Sequence, residues 1–529
     1  MSEISPLNGV SAFPELSDRF IKENYPSKLK LVQVQLYHRH GERVPIARKF
    51  ANISPLTWDF CKNANVFHEE FRKSVQRIIP NSHSSSDSPL DPNLEIHNSN
   101  KKEFWQTYRE ERVFPSHLPF GQRVGAGGSV SLNKAGPNDE YYNNANPSTC
   151  GWGQLSDVGW NTMRKTGEYI RNLYIDRLGF LPKSADELNN NDLLLRTTDY
   201  SRALESIHQV ISGLYPIKDS SPNKHKFNVL IRTIQNETLF LNFQCKNLKE
   251  QLVKMHKTVS KMYPDETDSV KNMLYESTSI GAETRETLEN TKLASPFHSV
   301  YDTLIAMRAH SVDLPSDVTP ENVDRVGKLA AKQWMLSGVF NTQLGRLQFS
   351  PIGLDMLNNI VSKINNFSSP SPGTKSPDFS KPLPIENPPS FAIYSGHDTT
   401  IVPTLAALGF HLQTSKDPKN YSVIWPDFGS VVSIELFKGP AIEKSAKSNK
   451  KQANDPAKKW PSTIPDNFNA DGYYVRANYN GKPLIIPKCR EKNNHDPEMG
   501  PSMCTLDAFF QQLQPVVQTT HEWKKECRA

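Results

Sequence analysis

The run LKLVQVQLYHRHGERVP, residues 29–45, decides the fold. Val32, Val34 and Leu36 alternate with Gln33, Gln35 and Tyr37, the period of two that sends successive side chains to opposite faces of a β-strand. The alternation stops at His38-Arg39-His40-Gly41, so a strand delivers an arginine- and histidine-rich loop from its carboxyl end. Ligands in open α/β sheets bind at that end. Two arginines flanking a histidine, with a glycine allowing close backbone approach, suit a phosphate dianion. Guanidinium forks match phosphate oxygens bidentately, where lysine offers only a point charge. Taken alone, the tripeptide also reads as a solvated arginine loop with a structural histidine.

Two more strand ends behave alike. PSFAIYS (389–395) runs into Gly396-His397-Asp398-Thr399-Thr400 and then a helix, with Pro403 expected in its first turn. A helix N-terminus there attracts an anion, although an isolated His-Asp pair also reads as a cap. Leu193-Leu194-Leu195 leads through Arg196-Thr197-Thr198-Asp199-Tyr200-Ser201-Arg202 into a helix over 201–215. GQLSDVGWNTMRKTGEYIRNLYIDRL (153–178) has Met163, Ile170, Leu173 and Tyr174 at helical spacing, with Ser156 as N-cap. From about 216 to 345 the pattern is mostly helical. SVVSIELFK (430–438) and YYVRANYNGKPLII (473–486) read as antiparallel partners, the second with an Asn480-Gly481 turn.

Strands alternating with helices, then a helical block, then strands again, predict an α/β fold with an inserted helical cap. The expected division is a catalytic core over 25–215, a cap over 216–345 and the rest of the core over 346–529. Polar insertions are expected at about 80–150, at 366–390, where seven of the 39 prolines fall, and at 438–466.

The 529 residues carry 62 Lys+Arg against 56 Asp+Glu. Of the net +6, five charges come from residues 438–460, where seven lysines face Glu443 and Asp455. That is a solvated loop rather than a nucleic-acid face. No apolar run approaches the length of a membrane span. The start, MSEISPLNGVSAFPELSDRF, lacks a basic n-region and an apolar h-region, so the N-terminus predicts an intracellular, cytoplasmic protein, or a secretory or vacuolar one had a leader been trimmed. Cysteines at 61, 150, 245, 489, 504 and 527 have no C-x-x-C spacing, which argues against zinc; from spacing alone they read as reduced thiols.

Taken together, the three strand ends resemble a known family, the histidine acid phosphatases. Its nucleophile motif R-H-G-x-R-x-P stands without a gap as Arg39-His40-Gly41-Glu42-Arg43-Val44-Pro45. Its G-x-G-Q-L-(T/S)-x-x-G helix entry is similar to Gly151 through Gly159, its T-D-x-x-R segment to Arg196 through Arg202, and its late H-D pair to His397-Asp398. The resemblance covers most of residues 29–527 and implies a phosphoglycerate-mutase-like fold, a mixed, mainly parallel sheet flanked by helices. It implies His40 as nucleophile, forming a phosphohistidine, and Asp398 as proton donor to the leaving alcohol, a role that asks for a carboxyl partly protonated at the working pH. Arg39, Arg43, Arg202 and His397 would hold the phosphoryl oxygens, with Arg196 in support and no metal or cofactor required.

His38 stands where the family usually has an apolar or aromatic residue, and reads as a partly buried strand-end histidine, with a second proton-transfer role as the lesser alternative; zinc binding by His38 and His40 lacks a third ligand. The resemblance further implies bridges Cys245–Cys527 and Cys489–Cys504, with Cys61 and Cys150 unassigned, and it allows a homodimer. The expected activity is hydrolysis of small phosphate monoesters. Lysophosphatidic acid and inositol polyphosphates are alternative substrates, and a non-catalytic scaffold of the same fold is the alternative of another class.

Overall fold

The structure, a computed structural model, describes residues 13–65 other than 51, 56 and 64; 108–112; 148–216 other than 190 and 191; 227–290 other than 233 and 235; 295–368; 388–441 other than 414; and 460–528 other than 466 and 467. The three expected insertions lie mostly outside these residues.

The strands are β1 (Lys30–Arg39), β2 (Tyr108–Arg112), β3 (Leu193–Thr197), β4 (Phe227–Ile231), β5 (Phe391–Gly396), β6 (Val431–Lys438), β7 (Tyr473–Tyr479), β8 (Lys482–Pro483), β9 (His495–Asp496) and β10 (Gly500–Thr505). They form one mixed sheet in the order β2-β4-β3-β5-β1-β6-β7-β10-β9, with β8 paired to β7. Neighbours from β2 to β1 are parallel; those from β1 to β9 are antiparallel. Asn480 and Gly481 both take positive φ, 49° and 74°, in the tight turn joining β7 to β8.

β1 lies near the middle, and its alternation proves deceptive. Gln33, Gln35 and Tyr37 are as buried as Val34 and Leu36. Their face packs on the helix Thr342–Ser368, where Gln33 Nε2 donates to the Asn359 and Pro389 carbonyls, Gln35 Nε2 to the Met356 carbonyl and Tyr37 Oη to Gln35 Oε1. A polar strand face is thus buried with its hydrogen bonds made, the condition under which such burial is tolerated.

One apolar core lies on each side of the sheet. Val34, Leu36, Phe391 and Ile393 pack with Met163, Ile170, Ile207 and Ile211 of the helices Asp157–Arg171 and Ser201–Leu214. As expected, Ser156 caps the first, accepting from the Gly159 N–H at 3.2 Å; the turn then continues as a π-helix over Asn172–Arg177. The other core joins Val432 and Val475 of the sheet to Leu252, Val270, Leu304 and Leu336, which lie on the helices Lys246–Met262, Pro264–Glu276, Pro296–Ala309 and Pro320–Phe340.

Two expectations change. Residues 227–231, assigned to the helical block, form β4 beside β3; a short apolar run gives no period to tell a buried parallel strand from a helix. Pro403 lies in the second turn of the helix Asp398–Ala407 rather than the first.

Candidate active site

β1, β3 and β5 end together. In register, His38 faces Ser395 and Arg39 faces Gly396 across the β1–β5 pair, while Thr197 faces Ser395 across β3–β5. The three polar loops therefore leave the sheet at one edge. The His40 N–H donates to the Gly396 carbonyl at 3.0 Å, tying the first loop to the start of the third.

His40 Nδ1 lies 2.9 Å from the Gly41 carbonyl oxygen. A carbonyl can only accept, so Nδ1 carries the proton and Nε2 keeps its lone pair. The His40 ring meets the His397 ring edge-on at 5.4 Å. His397 Nε2 lies 2.8 Å from Thr198 Oγ1, and its backbone N–H is held by Thr400 Oγ1 at 2.9 Å.

The Gly151–Gly159 segment clamps the histidine loop. Ser156 donates both its N–H and its hydroxyl to the Glu42 carbonyl, and Arg43 bridges Leu155. A methyl group added at Gly41 would stand 2.5 Å from the Gly159 oxygen, so neither backbone admits a side chain between them. The Gly41 N–H donates to Ser206 Oγ at 3.1 Å, and that hydroxyl donates to the Arg202 carbonyl.

All three arginines are buried. Arg39 pairs with Asp398 Oδ2 at 3.1 Å, donates to the Pro426 carbonyl at 2.6 Å and lies over the Phe428 ring at 4.3 Å. Arg43 pairs with Asp302 Oδ1 at 2.7 Å, and the other Asp302 oxygen accepts from the Ile46 N–H. Arg202 lies over the Tyr200 ring at 4.8 Å.

Burial, reinforced by Arg202, Arg39 and Arg43, holds the His40 imidazole well below its ordinary value. His397 is driven down for the same reasons. Burial pushes Asp398 upward, but Arg39, His298, Arg43 and the Thr399 N–H outweigh it and hold the carboxyl below its ordinary value. In the unliganded site Arg39 thus favours the carboxylate form of Asp398, where the donor role asks for a proton. Burial pushes Glu42 up to about 7, so in acid it adds no negative charge beside Arg39.

Sequence reasoning missed several residues that complete the site. Trp425, Pro426 and Phe428 form a wall: Pro426 and Phe428 hold Arg39, Phe428 lies 5.9 Å from the His40 ring, and Trp425 stacks on His298 at 4.5 Å. His298 Nε2 stands 3.9 Å from Asp398 Oδ2. Asp302 and His298 come from the helical block, Phe428 from the loop before β6, and no local motif marks any of them. Arg196 stands apart, in a network with Asp355, Glu237 and Thr238 at 2.6–2.7 Å. His38 is fully buried with Nδ1 3.1 Å from the Arg39 carbonyl. Among the described residues no group of three or more His, Cys, Asp or Glu side chains could hold a metal ion, and no helix is long and apolar enough to cross a membrane.

All six cysteines are paired, as Cys61–Cys150, Cys245–Cys527 and Cys489–Cys504. The reduced-thiol reading from spacing gives way, and Cys61–Cys150 adds a bridge that the sequence left unassigned.

A histidine loop, three arginines and a His-Asp pair thus gather at the carboxyl ends of parallel strands of one α/β sheet. The chain belongs to the histidine phosphatase superfamily (branch 2), whose family model matches residues 30–480, and is a phosphoric monoester hydrolase of its acid phosphatase type. It is similar to a probable acid phosphatase of Schizosaccharomyces pombe, 25% identical over 522 residues that span 94% of each chain. It is also 25% identical to the lysosomal acid phosphatase of Xenopus laevis, with 72% of each chain covered. Among solved structures, the apo form of a Hafnia alvei phytase aligns over 95% of this chain and 99% of its own at 13% identity, with a TM-score of 0.47.

Proposed function

We propose that the protein hydrolyses phosphate monoesters through a phosphohistidine on His40, with Asp398 as proton donor and Arg39, Arg43, Arg202 and His397 as the phosphate cradle. The observation that carries this reading is the Nδ1 bond of His40 to the Gly41 carbonyl, which leaves Nε2 as the nucleophilic atom beside three buried arginines. Nε2 forms a bond to phosphorus as the phosphorus–oxygen bond to the alcohol breaks, and the alcohol oxygen takes a proton from Asp398. Water then attacks phosphorus, the phosphorus–nitrogen bond breaks, and the water's proton goes to Asp398 as inorganic phosphate forms. The arginine forks stabilise charge on the equatorial oxygens.

The ion pair between Arg39 and Asp398 couples binding to protonation. An arriving phosphate competes with Asp398 for Arg39, and loss of that contact lets burial raise the carboxyl toward its acid form. The depressed His40 keeps its lone pair in acid, where an ordinary histidine would be protonated. Both features suit an acid phosphatase.

Rapid quench with labelled substrate tests the scheme: acid-labile phosphate should appear on His40 and vanish in His40→Ala. Asp398→Asn should slow alkyl phosphates far more than nitrophenyl phosphate. Full turnover by His40→Ala would end this reading.

Three disulfides support an oxidising compartment, where such bridges persist, over the cytosol suggested by the N-terminal residues.

A further inference from the structure

The phosphate cradle explains one half of a substrate and leaves the alcohol half unassigned. Asp398 delivers its proton to the leaving oxygen in the reading above, so whatever the oxygen carries must pass beside Asp398 and His397. Aromatic side chains flank both. His298, whose ring stacks on Trp425 at 4.5 Å and 26°, approaches Asp398 Oδ2 to 3.9 Å. Its side chain is 18% exposed against 3% for Arg39 and Arg43, so it stands on the more open side of the site. The indole N–H of Trp425 is buried and has no hydrogen-bond partner among the described residues. Around His397, Tyr200 and Phe240 meet the imidazole at 4.9 and 5.0 Å, and Phe243 extends the cluster at 5.8 Å from Phe240. Tyr200, Phe240 and Phe243 are all partly exposed.

Among the described residues, cationic charge acting on the site comes from the cradle. The cations acting on His397 are Arg202, Arg43 and Arg39. The helix Pro296–Ala309, which supplies His298, carries one arginine, Arg308, and that is paired with Asp324 at 2.7 Å. The same helix presents Asp302 to the site, and the exposed Asp427 adjoins Phe428 in the wall. A second and third phosphate on the alcohol would therefore meet aromatic rings and carboxylates.

We infer that His298 and Trp425, together with Tyr200, Phe240 and Phe243, form an aromatic leaving-group subsite. It selects monophosphate esters whose alcohol carries a planar or apolar group near the ester oxygen, and it discriminates against multiply phosphorylated polyols. The inference rests on the phosphatase roles proposed above. Apolar and stacking contacts of this kind, made in the transition state, separate substrates by roughly ten- to a hundredfold.

The test compares 2-phenylethyl phosphate with ethyl phosphate, whose leaving alcohols have similar acidity, so that the ring alone is read out. Inositol hexakisphosphate serves as the polyphosphorylated competitor. The expected ratio of kcat/KM between the first two is at least about tenfold. It should fall to within about threefold in Phe240→Ala and, independently, in His298→Ala, each variant checked for a native melting transition. Inositol hexakisphosphate should be the poorest of the three. A wild-type ratio near one, an unchanged ratio in both variants, or a preference for inositol hexakisphosphate would overturn the subsite while leaving the phosphohistidine scheme standing. Absence of turnover with every ester would overturn that scheme, and the subsite with it.

Discussion

Arg43 and Asp302 meet at 2.7 Å, joining the histidine loop after β1 to a helix some 260 residues further along the chain, and both are buried. The second Asp302 oxygen holds the Ile46 N–H, so one carboxylate fixes both the guanidinium and the backbone that follows it. Removing one partner from a buried pair leaves the other charge uncompensated, which costs about 3–5 kcal/mol. Asp302→Ala should lose stability on that scale in urea unfolding, and in the folded fraction inorganic phosphate should inhibit more weakly as Arg43 loses its orientation. Unchanged phosphate inhibition would show that Arg43 needs no such support.

The same pair sets an acid limit. Burial pushes Asp302 up, but Arg43, His298 and the Ile46 N–H hold it below the ordinary 3.8. With the folded value depressed, its contribution is complete above the unfolded value and disappears as pH falls through the folded one. The urea-midpoint difference between wild type and Asp302→Asn should stay constant from pH 7 to about 5 and shrink only below about 4.

Buried histidines add a loss of the same sign, over a higher range of pH. Burial lowers His38 to about 4 from an ordinary 6.5. The unfolded chain takes the proton first, so the stability tied to neutral His38 is complete above pH 6.5 and declines toward pH 4, by up to about 3 kcal/mol. Wild type should lose urea stability between pH 7 and 4.5 more steeply than His38→Asn. Parallel profiles would mean that His38 does not titrate with unfolding.

Gly41 and Gly159 touch backbone to backbone, and a methyl on Gly159 would lie 2.2 Å from the Glu42 oxygen. Gly159→Ala must push the histidine loop away from the helix, an overpacking that costs about 1–3 kcal/mol. Phosphoenzyme formation should slow more than the melting shift alone accounts for, as seen by rapid quench at a temperature where the variant is folded.

The three disulfides predict no reactive thiol in the unreduced, denatured protein. Cys245–Cys527 ties the start of the helix Lys246–Met262 to the helix Thr520–Arg528 across 282 residues, and losing a bridge of this kind typically costs about 2–5 kcal/mol. Thiol titration in guanidinium with and without reductant, followed by melting of Cys245→Ser/Cys527→Ser, checks both points.

Much of this was legible because the chemistry is local. Val32 to Tyr37 declare a strand by their period, and Arg39-His40-Gly41 follow at its end whatever the rest of the chain does. The same holds for Phe391 to Asp398 and for Ser156 capping its helix. Other features were illegible for definite reasons. Phe227–Ile231, apolar but for Asn228, is too short to show a period. Gln33 and Gln35 look solvent-facing until Asn359 and Met356 of the helix over Thr342–Ser368 supply carbonyls for their amides. Cys61 and Cys150 flank a stretch whose length gives no clue to their pairing.

By itself, then, the sequence determined the strand ends, the Ser156 helix cap and the groups proposed to bind and attack a phosphate, because those depend on residues adjacent in the chain. Only the tertiary structure decided their state. Arg39 lies against Asp398 and favours its carboxylate form, Gly41 lies against Gly159, and Trp425, Phe428, His298 and Asp302 close around them from separate segments. Protonation, orientation and selectivity depend on distances between residues far apart in sequence, and those distances are set by how the sheet and the helical block share one core.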